Sequence, residues 1–242
     1  MKIIADTHTH TVACGHAYST IQENLAEAKR KGLRFLATTE HTGIMPGAPH
    51  SSFFVCMNSV LPHEHDGVYL VNGCEANVLD ETGAVDIKDS VLDELDWVIA
   101  SFHKIVTEPM DYDRHTAAWL AIAKNPHIDV IGHCGEERFR FDYERVIKEF
   151  AANGKIVEIN ASSAQNRPTS RGNCTEIARL CAKHGVPLVL SSDAHFASYV
   201  GEVKMAIKIV EDAGVPEELI LNADEKRFAK RLTQICGKEY DV

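Results

Sequence analysis

Short apolar runs alternate with amphipathic stretches along nearly the whole chain of 242 residues. Seven of these runs have the length and the continuous apolar character of buried strands, and stretches with helical periodicity separate most of them. The predicted strands are residues 2–5, 34–39, 68–72, 96–102, 128–131, 155–159 and 186–190. Apolar strands that alternate with helices are typical of a parallel sheet whose faces are covered. The pattern therefore predicts an α/β protein.

The number of repeated units favours a closed or nearly closed barrel. A dinucleotide-binding fold would carry a Gly-x-Gly-x-x-Gly fingerprint after its first strand, and the chain has no such motif. No low-complexity segment or linker divides the sequence, and single α/β barrels commonly have this length. We therefore expect residues 1–242 to form one domain.

Composition restricts the partners and the location. The net charge of −10 disfavours a general nucleic-acid binder, which would show a basic face, but an anionic substrate is compatible with bound divalent ions. No run approaches the ~20 apolar residues of a membrane span, and the first residues lack the apolar core of a signal peptide. The seven cysteines are widely spread, without a Cys-x-x-Cys pair, which indicates reduced thiols. We predict a cytoplasmic protein without a membrane partner, and homo-oligomers remain open.

Histidine or a carboxylate follows six of the seven predicted strands. The first strand leads into Asp6-Thr-His8-Thr-His10 and then Cys14-Gly-His16. The later strands lead into His41, Glu75, His103, His133, Asp193 and His195. A single histidine at such a position is more often a hydrogen-bonded packing residue than a ligand. The recurrence of histidine or carboxylate at nearly every strand end indicates a functional site instead, because α/β barrels build their active sites at the carboxyl ends of the strands.

These residues predict a metal site with more than one ion. Zinc usually takes three or four protein ligands, whereas the chain offers nine candidates. The mixture of imidazoles and carboxylates favours two or three zinc, manganese or iron ions over magnesium or calcium. A carboxylate such as Glu75 can bridge two ions, and paired metals activate water and hold both oxygens of an in-line displacement.

The motifs at the strand ends resemble those of the PHP (polymerase and histidinol phosphatase) superfamily over nearly the whole chain. They are Asp6-x-His8-x-His10, Cys14-Gly-His16, Thr39-Glu40-His41, Gly73-Cys-Glu75, Phe102-His103, Gly132-His133-Cys-Gly135 and Ser192-Asp193-Ala-His195. The stretches 12–20, 48–50, 158–163 and 173–174 are most similar to the YcdX-like phosphatase branch. The resemblance implies a distorted seven-stranded (β/α)7 barrel with three metal ions at the C-terminal ends of its strands.

The resemblance also implies how the nine ligands divide among three divalent ions, most readily zinc, with manganese or iron as alternatives. The first ion would be held by His8, His10, Glu75 and Asp193. The second would be held by Glu75, His103 and His133, so that Glu75 bridges the two. The third would be held by His16, His41 and His195. Glu75, Asp193 and His195 are then expected at the reacting centre.

The expected activity is hydrolysis of small phosphate monoesters, in which a hydroxide that bridges two metals attacks phosphorus. Arg167 or Arg171 would contact the substrate phosphate, because a guanidinium matches phosphate geometry. Asn160 is expected on the substrate side of the site, where, together with Asp6 and Glu40, it would orient ligand imidazoles or bound water. Residues 43–65, which contain several Gly and Pro residues, are predicted to form a lid.

Other functions are compatible with the same motifs. Within the superfamily, the alternatives are a phosphodiesterase and a histidinol-phosphate phosphatase. An amidohydrolase-like enzyme for C–N or ester bonds would use a two-metal barrel, but it would leave His16, His41 and His195 without a role. A non-catalytic metal-binding protein would bind metal and turn over no ester.

Overall fold

A computed structural model describes residues 1–242 and contains eight strands. They are β1 (Ala5–Asp6), β2 (Phe35–His41), β3 (Glu64–His65), β4 (Val68–Asn77), β5 (Trp97–Ser101), β6 (Val130–Ile131), β7 (Ile156–Asn160) and β8 (Leu188–Ser191). Seven of them pair in parallel in the order β1-β2-β4-β5-β6-β7-β8, and β3 pairs with β4 in antiparallel orientation. The nearly closed parallel barrel predicted from the sequence is confirmed.

Nine α-helices accompany the strands, and none of them has the length and apolar character needed to cross a membrane. They are α1 (Ile21–Lys31), α2 (Ser51–Val60), α3 (Asp89–Leu92), α4 (Tyr112–Lys124), α5 (Tyr143–Ala152), α6 (Ala161–Asn166), α7 (Arg171–His184), α8 (Lys204–Ala213) and α9 (Glu225–Cys236). A capping box between Thr20 and Glu23 begins α1, and Gly32 ends it.

The first and last strands of the barrel meet without a continuous ladder. A single parallel bridge joins Thr9 to Ala194 above the ends of β1 and β8. Lower down, the side chain of Asn222 fills the gap: its Nδ2 donates to the carbonyl oxygens of Ala5 (2.9 Å) and Leu190 (2.7 Å). Its Oδ1 accepts from the backbone N–H of Leu190 at 3.0 Å. One buried amide therefore satisfies backbone groups on both strands that would otherwise lack partners.

The inside of the barrel contains its own hydrophobic cluster, separate from the larger core between the sheet and the outer helices. Helix α9 closes the amino-terminal end of the barrel with Phe228, which is fully buried. The Phe228 ring lies 5.1 Å from that of Phe35 on β2 and 5.8 Å from that of Trp97 on β5. The last helix thus acts as a plug on the side opposite the expected site.

The inward face of each long strand changes from apolar to polar towards its carboxyl end. On β4, Tyr69 and Val71 belong to the inner hydrophobic cluster, whereas Glu75 and Asn77 lie further along the same strand. The predicted end of this strand at residue 72 was wrong, because Asn72, which faces α2, and Gly73 interrupt the apolar run although the strand continues to Asn77. This change in polarity places the functional groups at the carboxyl ends of the strands.

The segment 43–65 is mostly regular structure. It contains α2 and β3, and β3 joins β4 through a two-residue turn in which Asp66 and Gly67 both have positive φ, at 55° and 86°. Only Met45 and Pro46, at its beginning, line the cavity above the barrel. The predicted lid is therefore limited to this short stretch.

Candidate metal centre

Glu75 lies at the middle of the polar end of the barrel and is 1% exposed. Its Oε1 is 2.9 Å from Nε2 of His133 and 3.2 Å from Nε2 of His103. Its Oε2 is 2.8 Å from Nδ1 of His41 and 3.3 Å from Nε2 of His8. A carboxylate with nitrogen atoms near both oxygens has the geometry of a bridging ligand.

Two further ligand candidates stand beside it. Nε2 of His10 is 3.0 Å from Nε2 of His8 and 3.5 Å from Oε2 of Glu75. Oδ1 of Asp193 is 3.3 Å from Nε2 of His10 and 3.7 Å from Nε2 of His8. These four side chains are those that the resemblance assigns to the first ion.

His16 and His195 lie closer to solvent, beside the buried His41. The His16 ring lies 5.0 Å from that of His41 and 4.9 Å from that of His195. Gly15 directs His16 inward with φ of 80°, and a Cβ at this position would lie 2.8 Å from Cα of Gly47. Only glycine therefore permits this approach of the two loops.

All nine predicted ligands lie together, although their proximity does not follow the three implied sets one for one. Ligand atoms within 4.8 Å of one another also group His10 with His41 and His195, and His41 with Glu75 and His103. Sγ of the buried Cys14 also lies within 4.8 Å of a ring nitrogen of His16 and of His195. The division among three ions therefore stays a prediction.

The protonation pattern of the histidines fits bound divalent cations. Nδ1 of His8 donates to Oε1 of Glu158 at 2.7 Å, and Nδ1 of His103 donates to Oδ1 of Asn77 at 2.7 Å. In neutral imidazoles, these bonds leave the Nε2 lone pairs directed at the carboxylate of Glu75. A nitrogen lone pair and a carboxylate oxygen that face one another repel unless a cation lies between them.

Unpartnered buried atoms indicate the same chemistry. Nδ1 of His10, Nδ1 of His41 and Oε2 of Glu75 are buried and make no hydrogen bond. Buried polar atoms are normally hydrogen-bonded, and exceptions need an explanation such as an ion. The residues present therefore fit a metal group.

Electrostatics hold Glu75 and His10 in the forms that bind metal, but they act in the opposite direction on His8. Burial would lower the pKa of His8, but the carboxylates of Glu158, Glu75 and Asp193 outweigh it and raise the pKa well above its usual value, so a metal ion displaces a proton there. Burial alone would raise the pKa of Glu75, but the neighbouring His103, His8 and His41 outweigh it and hold the pKa well below its usual range. Burial, together with His41, lowers the pKa of His10 well below its usual value. A carboxylate and a neutral imidazole are the forms that bind metal ions.

Two of the candidate ligands have unusual backbone conformations. His133 has φ of 21° and Asp193 has φ of 53°, in the left-handed region that favours glycine. Such conformations cost of order 1–3 kcal/mol and cluster at functional sites. The barrel thus holds both residues at some expense in backbone energy.

A cavity of about 690 Å³ opens above the cluster. Seven of the nine candidate ligands line it: His16, His41, Glu75, His103, His133, Asp193 and His195. Arg167 also lines this cavity, whereas Arg171 does not, because its Nε donates to the carbonyl oxygen of Ala164 at 2.8 Å. Of the two arginines suggested by the sequence, only Arg167 is directed at the site.

Comparisons with known proteins agree with this arrangement. The family model described as PHP domain matches residues 6–162. The chain belongs to the PHP domain family. A second model, described as PHP-associated, matches residues 172–232. The family resemblance read from the sequence is confirmed.

The relatives of this PHP domain protein cover it almost end to end. A probable phosphatase of Acetivibrio thermocellus is 41% identical over 94% of both chains, and one of Caldicellulosiruptor saccharolyticus is 41% identical over 100% of both. Among solved structures, the histidinol phosphate phosphatase of Lactococcus lactis, complexed with zinc, L-histidinol and phosphate, aligns with a TM-score of 0.62 and 17% identity. It covers 89% of this chain and 95% of its own, and it shows the shared fold.

One residue that the motif reading missed is central to this PHP domain. Glu158 is buried in the middle of β7, where its Oε1 accepts from Nδ1 of His8 and its Oε2 accepts from the backbone N–H of His133, both at 2.7 Å. Oγ of Ser191 also donates to Oε1. One carboxylate therefore fixes two ligand candidates from different strands. The available signal was a charged residue within the apolar run Ile156-Val-Glu-Ile159.

The predicted supporting residues act in different ways. Asn160 does not line the cavity; its Nδ2 donates to Oδ2 of Asp193 at 3.1 Å and so orients a ligand candidate. Glu40 accepts from Thr11 through both its N–H and its hydroxyl group and lies 3.9 Å from Nδ1 of His10.

Asp6 contacts no imidazole in the structure. Its carboxylate accepts from the backbone N–H groups of Ser192 (3.0 Å) and Gly201 (2.7 Å) and from the Ser192 hydroxyl. Asp6 therefore positions the backbone of the loop that carries Asp193 and His195, and it does so across the gap between the first and last strands.

Proposed function

We propose that this PHP domain protein hydrolyses small phosphate monoesters with three divalent metal ions, of which zinc is the first candidate and manganese or iron the alternatives. The observation that carries the proposal is the convergence of nine imidazole and carboxylate ligands around Glu75, with Nε2 lone pairs of His8 and His103 facing its oxygens. Nine such groups exceed what one or two ions require.

The proposed ligand sets follow the family resemblance. His8, His10, Glu75 and Asp193 hold one ion, Glu75, His103 and His133 a second, and His16, His41 and His195 a third. When bound, the ions supply positive charge that polarises the phosphoryl group and lowers the pKa of water near neutrality. The protein itself orients His8 and His103, because Glu158 and Asn77 accept from their Nδ1 atoms and leave Nε2 to face Glu75.

The other residues have distinct roles. Glu75 bridges the first two ions. Asp193 and His195 lie on the side of the cluster that borders the cavity, and Asn160 orients Asp193. Arg167 contacts the transferred phosphate: its Nη1 is used by Glu136 and Ser163, whereas its Nε and Nη2 remain available. A guanidinium donates in pairs, and this geometry suits phosphate oxygens.

The relatives support the reaction class. Their names describe probable phosphatases that match nearly the whole chain, and the neighbour from Lactococcus lactis binds zinc and phosphate. We also propose that the chain acts as one domain. Asp193 and His195, which belong to the PHP-associated part, complete a site that begins at His8.

Metal analysis and kinetics on one preparation test the proposal. We expect about three zinc, manganese or iron ions per chain, together with metal-dependent hydrolysis of p-nitrophenyl phosphate and little hydrolysis of bis-p-nitrophenyl phosphate. Two ions per chain, or activity confined to diesters or amides, would favour another hydrolase, whereas activity confined to histidinol phosphate, itself a monoester, would specify the substrate. Bound metal without turnover of any ester would make this a metal-binding protein.

A pair of arginine variants tests the phosphate contact. Arg167→Gln removes a guanidinium from the cavity and should lower kcat/KM by roughly 10–100-fold, the usual effect of losing a charged hydrogen bond. Arg171→Gln is the matched control, because the Arg171 guanidinium is occupied by backbone carbonyl groups. Thermal melting should show that both variants are folded. Equal kinetic losses in the two would contradict the assignment.

A further inference from the structure

Two cationic side chains on the cavity wall are not used by the proposed hydrolysis. Lys104 follows His103 at the end of β5, and Arg138 lies in a short 3-10 turn, Glu137–Phe139, after the end of β6. The strands β5 and β6 are neighbours in the sheet. The two cations therefore belong to adjacent loops, whereas Arg167 belongs to the loop after β7.

Arg138 is aimed by a buried carboxylate. Its Nε lies 2.6 Å from Oε1 of Glu136, and Nη1 of Arg167 lies 2.7 Å from the other oxygen, Oε2. Glu136 is only 5% exposed although it is charged. Both terminal nitrogens of Arg138 are left without a protein partner, and so is Nζ of Lys104. The Arg138 donors are held by Glu136 and have no acceptor, and the exposed Lys104 offers a further free donor, so both side chains can bind an anion.

The loop that carries Arg138 is fixed against α7. A Cβ on Gly135 would lie 2.4 Å from Sγ of Cys174, so only glycine allows this contact. Nδ2 of Asn173 donates to the Gly135 carbonyl oxygen at 3.2 Å and to Oε2 of Glu137 at 2.7 Å. A fixed loop lowers the entropy cost of binding, because its donors are already positioned.

The charge of the cavity wall exceeds what one phosphate needs. Beyond the metal cluster, the lining includes three cations, Lys104, Arg138 and Arg167, and a single carboxylate, Glu136. This wall is positive in a chain whose net charge is −10. Arg167 and the metal cluster suffice for the transferred phosphate.

We propose that Lys104 and Arg138 form a subsite for a second anionic group, a phosphate or a carboxylate, on the part of the substrate that leaves. This inference rests on the proposed function and specifies its substrate class: a phosphate monoester that carries another anion. Ile105, Met45 and Pro46 also line the cavity and provide apolar contacts for the body of such a molecule.

Three substrates of one carbon skeleton isolate the second anion. Propyl phosphate ends in a methyl group, 3-phosphooxypropanoate in a carboxylate, and propane-1,3-diol bisphosphate in a second phosphate. We expect kcat/KM for at least one of the two substrates with a second anionic group to exceed that of propyl phosphate by about tenfold or more, since hydrogen bonds between charged groups have this magnitude. The ranking of the two identifies the preferred anion, and longer diol bisphosphates test the spacing.

Variants assign the preference to its residues. Arg138→Gln and Lys104→Gln should each lower kcat/KM for the preferred substrate with a second anionic group about tenfold or more, and far more than for propyl phosphate. Arg140→Gln is the control, because Arg140 lies two residues from Arg138 but pairs with Glu137 and does not line the cavity. This control should retain the full preference.

A binding measurement separates this subsite from the hydrolysis itself. Propylphosphonate and propane-1,3-bisphosphonate are titrated into the metal-loaded protein and its variants by calorimetry. Tighter binding of the bisphosphonate that is lost in Arg138→Gln and kept in Arg140→Gln supports the subsite, even if no ester is hydrolysed and the proposed function fails. Equal binding of the two compounds, or a preference that survives in both the Arg138 and Lys104 variants, would overturn the subsite while leaving monoester hydrolysis intact.

Discussion

Replacing Glu158 by glutamine should loosen the metal centre without changing the shape of the core. In the wild-type protein, one carboxylate oxygen accepts from Nδ1 of His8 and the other accepts from the N–H of His133, each at 2.7 Å. Glutamine has only one acceptor oxygen, and its NH2 group must face one of these two donors. Either His133 loses its acceptor, or His8 shifts its proton to Nε2 and can no longer bind a metal through that atom.

The expected loss follows from these contacts. Each outcome removes one charge-assisted hydrogen bond, which is worth about 1.5–3 kcal/mol. This corresponds to a weakening of metal affinity by roughly 10–100-fold, which is also the usual effect of altering the partner of a ligand histidine. Competition against a chromophoric chelator would measure the affinity, and elemental analysis would count the ions.

The assay has a matched control and a clear refutation. Glu211→Gln changes an exposed residue on α8 with the same chemistry and should keep the wild-type affinity. Excess zinc should restore much of the activity of Glu158→Gln, because its ligands remain present. If Glu158→Gln bound the full set of ions with unchanged affinity, the role of Glu158 in fixing the His8 tautomer would be refuted.

Three other measurements follow from the structure. Metal removal with EDTA should lower the melting temperature by about 5–10 °C per tightly held ion, because an ion at a hundredfold excess over its Kd stabilises the fold by about 2.7 kcal/mol. Scanning calorimetry with and without EDTA measures this decrease, and added zinc should reverse it. Phe228→Ala should lower the free energy of unfolding in urea by about 3–5 kcal/mol, because it empties the plug beside Phe35 and Trp97; a loss below 1 kcal/mol would contradict this packing. Burial raises the pKa of Asp129 from 3.8 to about 6, so the folded state holds this proton more tightly than the unfolded state and stability falls as pH rises between about 4 and 6. Between pH 4 and pH 7, the free energy of unfolding of Asp129→Asn should therefore rise relative to that of the wild type by roughly 1–3 kcal/mol, as measured in urea with EDTA-treated protein. The same difference between variant and wild type at both pH values would disprove this prediction.

The alternating pattern of the sequence was sufficient to predict the barrel, because apolar runs and helical periodicity are local properties. The positions of His8, His41 and Glu75 near one another followed from a general rule, since parallel strands place their carboxyl ends on one face. The structure goes beyond the sequence-based prediction where a residue's role depends on partners that are distant in the sequence. In the sequence, Glu158 looks like an isolated charge within a strand. Only the fold shows that it contacts His8, which follows β1, and His133, which follows β6.

Two other features were beyond the local pattern for similar reasons. The amphipathic character of α9 predicts a packed helix, but it does not say that Phe228 enters the barrel at its amino-terminal end. Asn222 is one polar residue in a short 3-10 segment, and only the meeting of β1 with β8 reveals that its amide completes the ring. The distinction between Arg167 and Arg171 likewise depends on a carbonyl group that α6 brings within reach.

The closure of the barrel also has a consequence for the order in which the protein is made. Asp6, His8 and His10 are synthesised about 185 residues before the groups that contact them, Ser192, Asp193 and His195. During synthesis, the early histidines therefore wait without their final partners, and the complete set of ligands exists only after residue 195 has joined the fold. Metal binding by all nine candidate ligands would therefore require that both ends of the ring have met.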